Sequence, residues 1–389
     1  MSIIPLSFIA KHTLKTLEHI KCGSLQFTTP EGKVYDFKGS EPGPAATIVI
    51  SDWQVAGNAM LRGDIALGED YIAGLWDTDS VEALFSLFLL NMETVERDYA
   101  HGNWLQRLGF LVYNRIVRGN SKRGSRRNIE AHYDVGNDFY KLWLDESMTY
   151  SSALFTKDAS DLKEAQNAKY QRILERINDA GSVLEIGCGW GGFAEEAAKF
   201  SRRVTGLTIS PSQHSFASER LGEKADILLQ DYRDTKGLFD AIVSIEMFEA
   251  VGERYWPIYF KTIGERLRRG GKAVIQTITI GDEFFEGYRK RSDFIRHYVF
   301  PGGMLPSAKR FQEEAAKAGL IASNLFSFGQ DYAKTLKEWL KRFEAKRDEI
   351  LSMGYSEAFI RNWRFYLGVC AATFATGRTN VVQVELAHA

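Results

Sequence analysis

The stretch Val183-Leu184-Glu185-Ile186-Gly187-Cys188-Gly189-Trp190-Gly191-Gly192 decides the reading of this chain. An apolar run reads as a buried strand, and the glycines after it read as a tight turn that opens a helix over Phe193–Lys199. Glycine lets backbone N–H groups approach a ligand closely, so this geometry predicts a nucleotide-sized cofactor site. Glu185, on the last strand turn, accepts hydrogen bonds from a cationic or hydroxylated ligand and would repel a pyrophosphate. The spacing is GxGxGG, not the GxGxxG of the dinucleotide fingerprint. S-adenosylmethionine is therefore preferred over a dinucleotide, with Glu185, Gly187 and Gly189 as its first contacts.

Outward from this turn, strand candidates at Ser182–Ile186, Arg203–Leu207, Ala225–Leu229, Ala241–Ile245 and Lys272–Thr277 are separated by helix-length intervals. That alternation predicts an α/β, Rossmann-like, doubly wound parallel sheet, whose ligands sit at the carboxyl ends of its strands. Glu185, Thr208, Asp231, the Glu246–Glu249 segment and Gln276 all fall at or just past those ends. Residues 279–332 are too long and irregular for one βα turn and read as an inserted cap. Phe284, Phe285, Tyr288, Phe294, Tyr298 and Phe300 alternate there with Arg289, Lys290, Arg291, Arg296 and His297. Such a mixture suits single-stranded nucleic acid by stacking, or a greasy channel whose mouth meets anionic headgroups.

Upstream, residues 1–111 read as a small α+β domain, with β-like runs at Leu25–Thr28 and Ala46–Ile50 and a Ser80-capped apolar helix over Val81–Leu90. A linker over 112–127 carries Arg115, Arg118, Lys122, Arg123, Arg126 and Arg127 without an intervening acid. A phosphate-bearing partner or plain solvation would each account for that run. The remaining residues, 128–389, form the catalytic domain.

The 389 residues, 44% hydrophobic and 25% charged, are ordinary for a globular protein of two domains. Cys22, Cys188 and Cys370 show no metal-like spacing, which argues against a zinc site and against a disulfide framework. No apolar run approaches the ~20 residues needed to span a bilayer. A cytoplasmic protein with peripheral membrane contact is expected.

Several ordered motifs carry a family resemblance: AHYDVGNDFYKLWLD at Ala131–Asp145, MTYSS ending at Ser152, EAQNAK at Glu164–Lys169, GLTIS at Gly206–Ser210, QDYRD at Gln230–Asp234, MFEAVG at Met247–Gly252, FPGGMLPS at Phe300–Ser307 and DYAKTL at Asp331–Leu336. With the glycine turn, they make the chain resemble the cyclopropane fatty acid synthases and their mycolic acid and fatty acid methyltransferase relatives. GDIALGEDYIAGLWD at Gly63–Asp77 looks like the additional lipid-facing domain of the longer synthases. The resemblance implies a class I methyltransferase fold and an enzyme at the inner membrane face. It would transfer a one-carbon unit from S-adenosylmethionine to a cis double bond of a phospholipid acyl chain, through a carbocation and then proton loss. It also implies peripheral contact with an anionic membrane surface and a homodimer.

Carried over residue by residue, the resemblance places cofactor contacts at Tyr133, Ser151, Gly187, Gly189, Thr208, Gln213, Asp231 and Tyr232. Its catalytic centre implies a bicarbonate held by five groups, which here fall on Glu249, Tyr332, Ile278, Ser152 and Gln276. Ser152 stands where the family has Cys, Gln276 where it has His, and Ala250 replaces a further His. The chain thus loses the imidazole's ability to carry charge near neutral pH. Glu246, three residues before Glu249, is a second candidate base. A base that takes the proton from the added methyl closes a cyclopropane; one that takes it from a neighbouring chain carbon leaves a methyl-branched alkene. The altered base site leans toward branching. The alternatives are a methyltransferase for a soluble or carrier-bound small molecule, and a non-catalytic lipid-binding partner. Nucleic acid is disfavoured as a substrate, because no Asn-Pro-Pro-aromatic motif follows the fourth strand.

Overall fold

A computed structural model describes residues 6–92, 135–157, 161–177 and 180–389. The basic run of 115–127 and Tyr133 lie outside the described residues. The N-terminal module comprises α1 (Leu6–Leu17), β1 (Cys22–Thr28), β2 (Val34–Lys38), β3 (Glu41–Ile50), α2 (Gln54–Arg62), α3 (Asp64–Ile72), β4 (Trp76–Asp77) and α4 (Val81–Leu90). Its sheet runs β2-β1-β3-β4, with β1 and β3 parallel and Phe27 opposite Ile48. The period-two pattern turns Leu25, Phe27, Ala46, Ile48 and Ile50 to one buried face. As the sequence predicts, Ser80 caps α4, its hydroxyl accepting from Ala83 N at 3.1 Å.

The second unit comprises α5 (Asn137–Lys141), α6 (Leu162–Ile177), β5 (Ser182–Ile186), α7 (Gly192–Ala198), β6 (Arg203–Thr208), α8 (Pro211–Leu221), β7 (Ala225–Leu229), β8 (Phe239–Ile245) and α9 (Trp256–Arg266). It continues with β9 (Leu267–Ile280), α10 (Asp282–Lys290), α11 (Ala308–Lys317), β10 (Leu320–Ser327), α12 (Gly329–Ala345), α13 (Arg347–Ser352), α14 (Glu357–Ala375) and β11 (Thr379–His388). The sheet order is β10-β11-β9-β8-β5-β6-β7. All the predicted strands are present and pair in parallel, while β11 runs antiparallel to β9 and β10. Strand order reverses between β5 and β8, so the crevice beyond their carboxyl ends is where a ligand belongs.

The cap is shorter than the sequence suggested. Leu320–Ser327, assigned to it, forms edge strand β10 of the main sheet, and Gly329–Ala345 is a helix. What remains, between β9 and α11, holds α10 and one π-helical turn at Ile295–Val299.

The two modules share a single apolar core. Phe365 of α14 packs between Phe85 of α4 (ring centroids 5.2 Å apart), Tyr71 of α3 (5.7 Å) and Phe294 of the cap (4.6 Å). The approach is close because of glycine: a Cβ on Gly368 would fall 2.7 Å from Val81 Cβ, and one on Gly68 2.2 Å from the Phe294 ring. Arg361 ties the same helix to the N-terminal module by donating to the carbonyls of Tyr71 and Trp76. Replacing Phe365 by Ala would forfeit about 3–5 kcal/mol of this packing.

Candidate active site

At the carboxyl end of β5 the chain turns sharply, with φ of 82° at Gly187, 53° at Gly189 and 87° at Gly191. Gly187 N and Cys188 N both donate to Leu207 O, at 3.0 and 2.9 Å, which pins the turn to the end of β6. A Cβ on Gly187 would strike Met247 Cγ at 2.7 Å, while one on Gly189 would meet nothing within 4 Å. Both glycines line one large cavity together with Ser151, Glu185, Thr208, Gln213, Asp231 and Tyr232. The structure therefore brings together every described residue predicted to contact the cofactor.

Their chemistry suits a ligand with a positive charge and hydroxyl groups. Glu185 is buried and its Oε2 has no hydrogen-bond partner. Burial pushes its pKa well above the usual carboxylate range, against the pull of the Lys169 charge. A cationic ligand beside it would restore the ionised form. Lys169 on α6 is fully buried and donates to Ser151 Oγ at 2.5 Å; burial pushes its own pKa down to about 7. Thr208 Oγ1 donates to Gln213 Oε1 at 2.9 Å, which leaves the Gln213 amide NH2 as a donor toward the cavity. Asp231 is less open than expected, because Arg233 grips it with two bonds of 2.8 and 2.6 Å.

The base site is built around Glu246. It directly follows β8 with φ of 50°, a left-handed conformation that a non-glycine residue adopts at a cost of about 1–3 kcal/mol. Its N–H donates to Gln276 O at 2.8 Å. Its Oε1 accepts from Ser152 N and Gln276 Nε2, both at 2.8 Å, and its Oε2 accepts from Tyr332 OH at 2.7 Å. Gln276 is itself held from behind, where Gln383 Nε2 donates to its Oε1 at 3.0 Å and Arg172 Nη1 donates to Gln383 Oε1 at 2.8 Å. A guanidinium only donates, so Gln383 must show Arg172 its oxygen and Gln276 its NH2. Gln276 in turn must present its NH2 to Glu246. The polarity of the whole chain is thus set from α6, through β11 and β9, to the carboxylate.

Glu249 stands on the next turn, with Oε1 accepting from Ile278 N and, at 2.9 Å, from Thr277 Oγ1. Its Oε2 is buried without a partner. Burial and the neighbouring Glu246 charge raise Glu249 from the ordinary 4.5 to about 8. Burial also raises Glu246, but Lys169, Tyr332, Gln276 and Ser152 N–H all oppose it. The three donors on Glu246 thus favour its charged form, while burial and that neighbouring charge favour the neutral form of Glu249.

This arrangement corrects two expectations. Ser152 contributes its backbone N–H, not its hydroxyl, which donates to Ala153 O at 3.0 Å. Ser152 and Gln276 are fully buried behind Glu246 and do not line the cavity, whereas Glu246, Glu249, Ile278 and Tyr332 do. Nor do the five groups expected to hold a bicarbonate fit one. Ser152, Gln276 and Tyr332 spend their donors on Glu246, and Ile278 N spends its own on Glu249. Sequence reasoning missed Arg172, Thr277 and Gln383. Gln383 had a usable signal, being an amide in the otherwise apolar run Val381-Val382-Gln383-Val384.

A seven-stranded sheet with one antiparallel strand, a glycine turn at its switch point and a buried acid beside that turn define a class I S-adenosylmethionine-dependent methyltransferase. Within that class the chain belongs to the mycolic acid cyclopropane synthetase family, whose model matches residues 120–384. It is 34% identical over 340 residues to the tuberculostearic acid methyltransferase UfaA1 of Mycobacterium tuberculosis, a match covering 84% of this chain and 79% of that one. To the cyclopropane-fatty-acyl-phospholipid synthase of Escherichia coli K12 it is 34% identical over 355 residues, covering 89% and 88%. Among solved structures, the mycolic acid cyclopropane synthase CmaA1 complexed with SAH and CTAB superposes with a TM-score of 0.63 at 30% identity, covering 67% of this chain and 97% of that one. The protein is thus an enzyme, and S-adenosylmethionine is its cofactor.

Proposed function

We propose that the enzyme adds a methyl carbon to a cis double bond within a phospholipid acyl chain, and that Glu246 takes the proton that ends the reaction. The observation that carries this reading is the Glu246 carboxylate, lining the cavity with three donors behind it. Glu185, Gly187, Gly189, Thr208 and Gln213 would hold S-adenosylmethionine at the glycine turn, where it would supply an electrophilic methyl group and leave as S-adenosylhomocysteine with the electron pair of the broken S–CH3 bond. The alkene contributes its π electrons to the new C–C bond, leaving a cation on the adjacent chain carbon. The rings of Tyr332, Tyr366 and Phe374 line the same cavity, an aromatic surrounding suited to that cation. Exclusion of water keeps it from being quenched.

Glu246 then accepts a proton from a carbon next to the cation, the C–H electron pair forms a new double bond, and the product is a methyl-branched unsaturated chain. Tyr332, Gln276 and Ser152 hold the carboxylate ionised until then; protonated Glu249 adds no second charge. A built-in carboxylate makes a bicarbonate unnecessary. The names of the relatives, a fatty-acyl-phospholipid synthase and a tuberculostearic acid methyltransferase, support a lipid substrate, as does the long-chain detergent CTAB in the CmaA1 complex.

Among the described residues no helix is long and apolar enough to cross a membrane. The proposal also includes peripheral docking, by a homodimer, on an anionic surface through the Arg115–Arg127 run, whose cations have no intervening acid. Incubation with S-adenosylmethionine and cis-monounsaturated phospholipid vesicles, followed by mass and olefin analysis, tests the reaction. A saturated ring product would defeat branching, and no one-carbon gain would defeat the lipid substrate. Sedimentation with anionic vesicles, lost when Arg126 and Arg127 are charge-reversed, tests docking.

A further inference from the structure

One face of α6 is polar where a helix packed on a sheet is ordinarily apolar. Gln166, Lys169 and Arg172 follow one another at every third residue, which sets them along one side of the helix. Gln166 and Lys169 are fully buried, a state in which lysine is rarely found unless something offsets its lost solvation. Each of the three reaches Glu246 by its own route. Gln166 Nε2 donates to Ser151 O at 2.9 Å, and the N–H of that same peptide, on Ser152, donates to Glu246 Oε1 at 2.8 Å. Carbonyl and N–H point to opposite sides of a trans peptide, so Gln166 aims the Ser152 N–H at the carboxylate and polarises it. Lys169 Nζ donates to Ser151 Oγ at 2.5 Å and so holds the side chain of the same residue. Arg172 acts through Gln383 and Gln276.

Lys169 adds what the amides cannot, a full charge. Among the described residues it makes no ion pair, so that charge is not spent on a single acid. Glu246 after β8, Asp145 after α5 and Glu185 at the end of β5 all feel it, and the Tyr170 ring lies 4.6 Å away. Asp145 is committed to Ser147, whose N–H it accepts at 2.9 Å, while Glu185 faces the cavity. Of the groups that favour the charged form of Glu246, Lys169 comes first, ahead of Tyr332, Gln276 and the Ser152 N–H. Glu249 is the acid on which the Glu246 charge acts in the opposite sense.

We propose that Lys169 is the counter-charge of the base, a positioning residue that keeps the Glu246 carboxylate ionised and, through Ser151, fixed in place. The inference rests on the reading of Glu246 as the proton acceptor. Lys169 does not line the cavity, whereas Ser151 and Glu246 do, so it acts through them and not on a ligand. Without its charge Glu246 would keep hydrogen bonds alone, and burial would favour the acid form, which cannot take up a proton. Coupling between two charges is mutual: Glu246 must hold the proton on Lys169 as firmly as Lys169 keeps one off Glu246. Burial pushes Lys169 down to about 7 even with these acids beside it, so loss of one of them should lower it further.

Lys169→Met removes the charge and keeps most of the volume. The expected result is an acid limb of kcat moved up by about one pH unit or more, hence a loss of about tenfold below it that is recovered at alkaline pH. Ser151→Ala, a milder change, removes the acceptor and should move the limb the same way by less. S-adenosylhomocysteine binding and the melting temperature report folding. A second arm needs neither substrate nor turnover. With lysine isotope-labelled at Cε, the Lys169 resonance, identified by its loss in Lys169→Met, is titrated in wild type and in Glu246→Gln. Its midpoint should fall in Glu246→Gln by as much as the limb rises in Lys169→Met. A lysine kept only for packing would lower kcat and move neither midpoint. A folded Lys169→Met with the wild-type limb, or a Lys169 midpoint unchanged by Glu246→Gln, would overturn the proposal. Should Lys169→Met fail to fold, Lys169→Arg identifies the resonance and the titration decides alone. Turnover retained by Glu246→Gln would instead defeat the reading of Glu246 as the base, an outcome separate from the titration.

Discussion

Glu246→Gln isolates the chemistry of the base from its architecture. The amide oxygen can keep the bonds from Ser152 N and Gln276 Nε2 at 2.8 Å, and its NH2 then faces Tyr332 OH, which can rotate to accept. Packing and cofactor binding should therefore survive while the proton acceptor is lost. A positioned base contributes typically 10²–10⁴-fold, so kcat should fall by that factor, equivalent to about 3–5 kcal/mol of barrier. The pH profile gives a second signature. Wild-type turnover requires the ionised carboxylate, so kcat should rise with pH along a limb set by Glu246, which burial places above the ordinary carboxylate range. The variant should lack that limb. The assay is transfer of a labelled methyl group to cis-monounsaturated phospholipid, with S-adenosylhomocysteine binding measured in parallel and carbon dioxide rigorously removed. A variant within tenfold of wild type that keeps the limb would refute the assignment, as would wild-type activity that disappears without bicarbonate.

Other expectations follow from the same geometry. Tyr332→Phe removes one donor to the carboxylate, so the acid limb of kcat should move to higher pH, with a loss of about tenfold that is recovered in part at alkaline pH. Gln383→Leu frees the Gln276 amide to reorient and should shift the same limb in the same direction by a smaller amount, without changing cofactor affinity. Glu249→Gln addresses stability. Because folding raises Glu249 from 4.5 to about 8, the folded state holds its proton more tightly than the unfolded one. Its favourable contribution is full below about pH 4.5 and is lost as pH rises through about 8. The wild-type melting temperature should fall across that window more steeply than that of Glu249→Gln, and parallel curves would contradict the protonated assignment.

The parts legible in the sequence were those governed by local chemistry. The glycine turn, the parallel strands and the acids at their ends follow from backbone freedom and burial, and the structure gathers Glu185, Thr208, Glu246 and Glu249 around one cavity. The end of the cap was not legible, because Leu320–Ser327 is an edge strand whose residues are mostly exposed, and its apolar residues are broken by Ser323-Asn324 into two short pieces. The direction of Gln276 was equally hidden. It depends on Arg172, more than a hundred residues away, acting through Gln383 on a strand that pairs only in the finished sheet. Leu25, Phe27, Ile48 and Ile50 show a third limit. Their alternation marks them as inward-facing, but a pattern of apolar residues is the same whether it packs on another side chain or lines a cavity.

The left-handed backbone at Glu246 makes the carboxylate a detachable part. Glycine is the residue that relaxes at a φ of 50°, so Glu246→Gly should ease the backbone while leaving Ser152 N, Gln276 Nε2 and Tyr332 OH pointing at a vacancy of carboxylate shape. The enzyme would then take its base from solution. Formate, acetate or bicarbonate should restore turnover in order of fit, and the product mixture should change with the anion supplied, since each would meet the cation from its own direction. One dihedral angle therefore marks the point at which a reaction run by a fixed side chain becomes one run by an exchangeable ion.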